Sequence, residues 1–382
     1  MVRLEENDVN REPLRRARRP TVPARRTAFR CLALALLLAP AACQSIGPGT
    51  VPRDRFEYSG SISDSWKRQL LLNVVKLRYL DPPIFVDIGQ IVAGYSLETG
   101  VTAGGQLSSV DAIQGNSLAL GGSAKFTDRP TITYVPLTGN KFVKGLMTPL
   151  PPDSLFFMIQ SGWPADGVLF AGLASINGLK NQETSITGVT PPDPDFMRVL
   201  ELMRKIQLSA GVGLRVQVDA QKRQTSILTL RGPDASDETR ADAAELRKLL
   251  HLDPEANEFT LSFGSTQAGA KEVAVISRSL LHLLSTMAAL VDVPAEDLTD
   301  HRATPGWESA QGSDRLVRMI EIHSSKEKCD DAFVSINYRG HWYWIDDRDL
   351  KSKRVFAFML MLFTLADTGE KESPPLITIP AQ

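Results

Sequence analysis

Twelve uncharged residues at positions 31–42 decide where the folded part of this chain can begin. They follow an arginine-rich flank that ends at Arg30, and they finish in small residues just before Cys43. A cationic flank, a short apolar core and small residues at a cleavage point are typical of a secretory signal. As a helix the run would rise only about 18 Å, whereas the apolar interior of a bilayer is about 30 Å thick. The sequence therefore predicts an exported chain from which residues 1–42 are removed.

The residues before the predicted cleavage point suggest a lipid anchor. Ala41-Ala42-Cys43 resembles the lipobox of bacterial lipoproteins, in which the cysteine thiol is diacylated and becomes the new N-terminus. Pro40 departs from this pattern, because the family usually has Leu or another aliphatic residue there. The alternative is an ordinary signal with Cys43 incidental. In such lipoproteins a residue other than Asp after the cysteine permits transport to the outer membrane, so Gln44 implies anchoring on its periplasmic face.

Charge argues against a nucleic-acid partner. The whole chain has 43 basic and 44 acidic residues, and residues 1–42 contain nine of the former and four of the latter. The remainder therefore has 34 basic and 40 acidic residues, a formal charge of −6. Non-specific binding to nucleic acids needs a basic face, which this composition does not favour.

Apolar periodicity in the remainder predicts an α+β fold, with mainly antiparallel sheet, packed amphipathic helices and two intimately packed subdomains. The predicted divisions are a signal with a long basic extension at 1–42, a lipid-anchored tether at 43–60, an N-terminal subdomain at 61–190, a C-terminal subdomain at 191–369 and a polar tail at 370–382.

Capping patterns and apolar runs predict the positions of several helices and strands. Ser61 and Asp64 have the spacing of a capping box and predict that the first helix begins there. A long apolar run predicts a helix over 272–291, and a shorter one predicts a strand over 317–323. Residues 349–366 predict the last helix, which is apolar all round near its middle.

The segment 332–346 is the most distinctive part of the chain. If Arg339-Gly340 forms a two-residue turn, Tyr338 lies opposite His341 and Ile336 opposite Tyr343. Both faces of such a hairpin are rich in apolar or aromatic side chains. Core packing is the ordinary interpretation, and an aromatic platform for an envelope protein or a peptidoglycan strand is the alternative. The side chains assigned to a possible ligand or partner surface are Tyr338, His341, Trp342, Trp344, Asp346 and Asp347.

The carboxylates after this hairpin admit a catalytic or metal-binding interpretation. Several carboxylates beside His341 could act as acid and base or hold a divalent cation. Carboxylates at a helix start also cap free N–H groups, which is the simpler explanation. The sequence contains no nucleophile elbow, zinc-protease motif, phosphate loop or Cys-x-x-Cys pair. We therefore assign no catalytic residue, metal or cofactor.

The glycine-rich segment 94–127 leaves two interpretations. A plain flexible loop is one of them. The other is a pair of long strands that each copy contributes to an oligomeric outer-membrane pore, which needs about 9–11 residues of alternating pattern per strand. Val101 and Ala103 alternate poorly with their neighbours, and Lys125 and Asp128 interrupt the apolar pattern.

Four stretches carry a family resemblance. They are residues 58–63 (Tyr-Ser-Gly-Ser-Ile-Ser), 129–134 (Arg-Pro-Thr-Ile-Thr-Tyr), 160–164 (Gln-Ser-Gly-Trp-Pro) and 338–347 (Tyr-Arg-Gly-His-Trp-Tyr-Trp-Ile-Asp-Asp). Over residues 54–366 the chain resembles a family of uncharacterised bacterial predicted lipoproteins. This resemblance implies one continuous exported domain and no particular activity.

Three function classes follow. The first is a non-catalytic binding or assembly component of the cell envelope, favoured by the anchor and by the lack of a catalytic motif. The second is an envelope glycan or peptide hydrolase that uses the His341–Asp349 region. The third is a subunit of an oligomeric outer-membrane pore.

The anchor is tested by intact mass and membrane fractionation of the wild type and Cys43→Ser in a diderm host. We expect the wild type to gain a lipid-sized mass and to float with the outer membrane, and the variant to be soluble, because the thiol is the acylated group. Two soluble proteins cleaved at the same position would contradict the anchor.

Overall fold

The computed structural model describes residues 46–106, 117–185, 188–218, 224–230, 236–307 and 316–366. Cys43, the predicted signal and the predicted tail at 370–382 lie outside the described residues. The helices are α1 Ile46–Arg78, α2 Gly139–Met147, α3 Pro152–Gln160, α4 Ala165–Gly172, α5 Pro194–Leu208, α6 Asp237–Leu249, α7 Leu280–Ala289, α8 Ala295–Thr299 and α9 Leu350–Ala366. The strands are β1 Phe85–Val92, β2 Tyr95–Gln106, β3 Ser117–Asp128, β4 Thr131–Leu137, β5 Leu173–Ile176, β6 Leu179–Lys180, β7 Glu183–Ser185, β8 Gly188–Thr190, β9 Val212–Val218, β10 Gln224–Leu230, β11 Glu258–Phe263, β12 Glu272–Ser277, β13 His323–Ser325, β14 Ala332–Tyr338 and β15 His341–Asp346.

The chain forms two compact units. The first comprises the start of α1, up to Tyr58, and the described residues of 93–129, which hold β2 and β3. The second comprises residues 59–92 and the described residues from Pro130 onward, and we call it the body. Among the described residues, no helix is both long enough and apolar enough to cross a bilayer.

A six-stranded sheet organises the body. Its strand order is β6-β5-β12-β11-β10-β9, and its neighbouring pairs are antiparallel except for β11 and β12, which run parallel. Strands from both sides of residue 190 contribute to it. The C-terminal strands form a separate three-stranded antiparallel sheet in the order β13-β15-β14. The fold is therefore α+β, with mainly antiparallel sheets, as the sequence predicts.

Helices α3, α4, α5, α7 and α9 supply much of the apolar core. Their fully buried side chains include Leu155, Leu169, Phe196, Leu284 and Phe356. Each buried side chain of this kind contributes about 1.5–3 kcal/mol relative to an exposed one. The apolar stretch of α9 is mostly buried, although Met361 remains 43% exposed.

Three boundaries predicted from the sequence are wrong. Helix α1 begins at Ile46 rather than at Ser61. Pro48 in its first turn is compatible with this, because N–H groups there have no partner within a helix, and Pro52 lies inside the helix. The predicted helix over 272–291 is strand β12 followed by α7, which begins after the capping residue Ser279. The strand predicted over 317–323 is instead at His323–Ser325, so the two ranges share only His323.

A buried arginine ties the sheet to the helices. The Arg278 side chain is 2% exposed, and its guanidinium donates to the carbonyl oxygens of Phe170 at 3.0 Å, Ala171 at 3.3 Å and Gln182. Burial lowers the pKa of Arg278 to about 10, because the charged form loses its hydration. These bonds join the end of α4, the loop after β6 and the end of β12.

Arg278→Ala tests this anchor. We expect the free energy of unfolding to fall by at least about 3 kcal/mol, because three buried carbonyl groups lose their donor. Urea denaturation measures the change. Arg215→Ala is the control, since Arg215 makes an exposed ion pair with Glu258. Equal effects of the two substitutions would contradict the role of Arg278.

Candidate functional site

The turn of the C-terminal hairpin, β14–β15, has the predicted geometry. Arg339 and Gly340 both have positive φ angles, 50° and 82°, as a type I′ turn requires. Tyr338 lies opposite His341, and Ile336 lies opposite Tyr343, so the predicted register is confirmed.

One face of this hairpin packs into the core of the body. Tyr343 and Ile345 are fully buried. The Tyr343 and Tyr79 hydroxyls are 2.6 Å apart, and the Tyr79 hydroxyl donates to Asp297 Oδ2 at 2.6 Å. Burial, reinforced by the Asp297 carboxylate, raises the pKa of Tyr79 well above its ordinary value. This face therefore serves packing.

The residues at the turn of this hairpin also contact the rest of the body. The Tyr338 hydroxyl donates to Asp81, and the Arg339 guanidinium lies 3.1 Å from the same carboxylate. Arg339 also lies over the Tyr79 ring, 4.8 Å from its centroid. Hydrogen bonds from Tyr338 and Arg339 hold the pKa of Asp81 below its usual range. Tyr338 is thus a structural contact between the hairpin and the end of α1.

The opposite face carries the two predicted platform tryptophans, and neighbours partly cover both. Trp344 Nε1 donates to Ser325 Oγ at 3.1 Å, and its ring lies 4.7 Å from that of His323. The Lys328 ammonium lies 5.6 Å from the Trp342 ring centroid. Both indoles are half-buried. The two rings do not form an open flat surface for a sugar.

The predicted polar residues do not converge on a cleft. The His341 side chain is 15% exposed, and its Nε2 lies 3.7 Å from Glu296. Asp346 accepts the backbone N–H of Arg348 at 2.8 Å, and Asp347 pairs with Lys353 at 2.6 Å.

Asp349 accepts backbone N–H groups at the start of α9, from Lys351 at 3.1 Å and Ser352 at 3.0 Å. This is the capping role that the sequence allows. In the part of the chain that the structure describes, no three His, Cys, Asp or Glu side chains are grouped so that they could hold a metal ion.

A groove of about 460 Å³ in the body has mostly apolar walls, including Trp163. On its rim, Lys205 pairs with Glu201 at 3.4 Å, and Arg204 lies 3.9 Å from Asp166. Lys351 and Arg354 also line the groove, so its charged side chains are four basic and two acidic ones.

A second hairpin, which we call the ribbon, consists of β2 and β3 with twelve residues in each strand. The strands pair in unbroken antiparallel register from Tyr95 opposite Asp128 to Gln106 opposite Ser117. They form a sheet of their own, with no third strand among the described residues. The flexible-loop interpretation of 94–127 is therefore wrong for the described part of this segment.

The register sorts the ribbon side chains by polarity. Residues directly opposite each other share a face, and neighbours along a strand alternate between faces. The apolar face carries Leu97, Thr99, Val101, Ala103, Leu120, Gly122, Ala124 and Phe126, with Tyr95 and Asp128 at its base. The polar face carries Ser96, Glu98, Gly100, Thr102, Gly104, Ala119, Gly121, Ser123, Lys125 and Thr127.

The apolar face is open in this single chain. Val101 is 85% exposed, Leu120 is 74% exposed, Phe126 is 52% exposed and Leu97 is 48% exposed. Single exposed apolar residues are ordinary, but a continuous stripe on one side of an extended sheet indicates an unfilled contact surface. The Lys125 that interrupts the sequence pattern lies opposite Glu98 on the other face.

The base of the ribbon is fixed to the start of α1. The Tyr95 hydroxyl donates to Asp54 Oδ2 at 2.6 Å, and Arg53 lies 5.9 Å from the Tyr95 ring centroid. The hydrogen bond to Asp54 raises the pKa of Tyr95 to about 12 and holds the pKa of Asp54 below its usual range. Tyr95 also stacks on Phe126, with the ring centroids 6.0 Å apart.

No protein-family model matches the chain, and comparisons with curated proteins and with solved structures return no match. The family resemblance inferred from the sequence stays a prediction.

Tyr79→Phe tests the closed face of the C-terminal hairpin. We expect the free energy of unfolding to fall by about 1–3 kcal/mol, because Asp297 and the Tyr343 hydroxyl would lose a buried partner. Tyr134→Phe is the control, since Tyr134 is 62% exposed. Chemical denaturation monitored by circular dichroism measures both variants. An unchanged stability of Tyr79→Phe would contradict the buried network.

Proposed function

We propose that this chain is an exported, lipid-anchored component of the cell envelope that acts by assembly with further copies of itself through the ribbon. The observation that carries the proposal is a 24-residue two-stranded sheet whose two edges pair with no other strand among the described residues and whose two faces are exposed. The activity is structural, and the proposal assigns no catalytic residue.

The ribbon needs a partner for physical reasons. An isolated two-stranded hairpin is marginally stable in water, and strands in globular proteins are usually about 5–6 residues long. Each outer edge also presents a row of unpaired N–H and C=O groups, which is a template for another strand. Folded monomers shorten or cover such edges, whereas here each edge runs for twelve residues.

Further copies of the chain can pair with both edges. One edge belongs to β2 and the other to β3, so the β2 edge of one copy can pair with the β3 edge of the next. This is a head-to-tail contact, and repeating it generates a closed ring when the rotation between copies allows. A single globular partner would pair with one edge and leave the other free.

The position of the ribbon base supports action at a membrane. Asp54, which holds Tyr95, lies eleven residues after the predicted anchor Cys43. The ribbon base and the beginning of α1 belong to the same compact unit. An acyl chain on Cys43 would therefore keep the base of each ribbon near the membrane surface.

The hydrolase alternative has no comparable support. It requires a polar cleft around the His341–Asp349 region, but Asp346 and Asp349 accept backbone N–H groups and Asp347 pairs with Lys353. The aromatic surface of the same hairpin is partly covered.

Removal of the ribbon tests the proposal. The backbone N–H of Arg129 donates to the Gly94 carbonyl at 2.9 Å, so the two ends lie side by side. Replacing residues 95–128 with Asn-Gly therefore closes the gap as a tight turn. We expect the wild type in mild detergent to form a defined oligomer and the ribbon-less variant to be monomeric, because the pairing edges are lost.

Mass photometry and light scattering measure the size of both proteins. The unfolding midpoint of the variant is the control for an intact body. A monomeric wild type, or a ribbon-less variant that forms the same oligomer, would contradict assembly through the ribbon.

A further inference from the structure

We infer that the apolar face of the assembled ribbons contacts the acyl chains of the outer membrane, and that the polar face lines a water-filled pore. This inference rests on the proposed function, because one ribbon alone leaves its edge groups unpaired in lipid. It adds the occupant of each face and the resulting activity, which is passage of water-soluble solutes.

The ribbon strands are long enough to cross a bilayer. A strand rises about 3.4 Å per residue, so twelve residues span roughly 40 Å. Tilted by about 45°, as membrane-spanning strands are, such a strand covers close to 30 Å, the thickness of the apolar interior of a bilayer. The requirement of about 9–11 residues per strand is met by both strands.

Apolar and polar side chains of the ribbon lie on opposite faces. Spanning strands alternate between lipid-facing apolar residues and residues that face a polar lumen. The apolar face of the ribbon has Leu97, Val101, Leu120 and Phe126 and carries no charge between its two ends. The polar face is built largely from Gly, Ser and Thr, with Glu98 and Lys125 near the base. Small polar side chains leave room for water beside the strands.

An aromatic pair lies at one end of the ribbon. Tyr95 and Phe126 stack on the apolar face at the base. Aromatic rings flank the apolar band of membrane-spanning strands at the level of the lipid headgroups. The hydroxyl of Tyr95 is bonded to Asp54, on the helix that follows the predicted anchor. The base of the ribbon thus has the composition of a membrane interface, and the residues beyond it that of a membrane interior.

Backbone chemistry favours lipid over a second apolar face as the occupant. If two ribbons stacked face to face, the edges of both would remain unpaired and the glycine-rich polar faces would both lie outside. In a ring of paired strands, every ribbon N–H and C=O has a partner, which the interior of a bilayer requires. In the same arrangement, lipid covers the apolar face and water hydrates the polar face.

Site-directed fluorescence in membranes tests the face assignment. Single cysteines at Leu97, Val101 and Leu120, and at the matched polar-face positions Thr102 and Ser123, carry an environment-sensitive NBD label. The full-length protein with Cys329→Ser is the parent, and its own labelling measures any reactive Cys43. Vesicles contain phosphatidylethanolamine and phosphatidylglycerol at about 3:1, a simple bacterial-like bilayer.

We expect labels at the apolar-face positions to be quenched by spin-labelled lipid and shielded from aqueous iodide, with the reverse at Thr102 and Ser123. Iodide access at both sets would overturn the inference, because the ribbon would lie in water. Shielding of the apolar face without quenching by lipid would also overturn it, because another protein surface would then be the occupant.

Conductance in a planar bilayer gives the second readout. We expect Val101→Arg to reduce the number of inserted channels at least about 30-fold, because a cation near the bilayer midplane opposes insertion. Thr102→Arg should insert normally and shift selectivity toward anions. Equal insertion of the two variants would contradict the face assignment. A defined oligomer without conductance would contradict the pore but not the assembly through the ribbon. A monomeric protein would contradict both.

Discussion

A two-stranded sheet leaves half of its backbone hydrogen-bonding groups unpaired along its outer edges, and the proposed role follows from this constraint. The ribbon keeps twelve residues in each strand in regular register and exposes both faces and both edges. The polarity of its side chains is divided between the two faces. A structure with these properties is completed by neighbours on both sides, which copies of the same chain can provide in a closed ring.

The body has a different character. Several of its buried polar side chains bond to groups inside it, as where Arg278 donates to carbonyl groups in the interior and Tyr79 joins Asp297 to Tyr343. Its C-terminal hairpin, the most distinctive segment of the sequence, is used mainly for packing. The chain therefore combines a closed body with an incomplete ribbon, which is consistent with a component that provides a fixed platform for an assembly.

Sequence patterns were reliable where local chemistry decides the structure. The turn at Arg339-Gly340 sets the register of β14 and β15, because both residues must adopt positive φ angles. Periodicity failed over 272–291, since a buried strand and a buried helix are both continuously apolar. The division of the ribbon into an apolar and a polar face cannot be recognised from the sequence of one strand alone. Lys125 interrupts the apolar run of β3, and its position on the polar face becomes clear only when it is paired with Glu98.

We propose that the ribbon edges are paired in the membrane-bound protein. Amide hydrogen exchange over residues 95–106 and 117–128 measures this directly, because an outward-facing N–H exchanges quickly unless another strand accepts it. We predict strong protection of both strands in membranes, and rapid exchange of the outward-facing amides in monomers isolated in denaturing detergent and then refolded at high dilution. Equally rapid exchange in membranes would contradict the claim, because the ribbon would then have no partner strand.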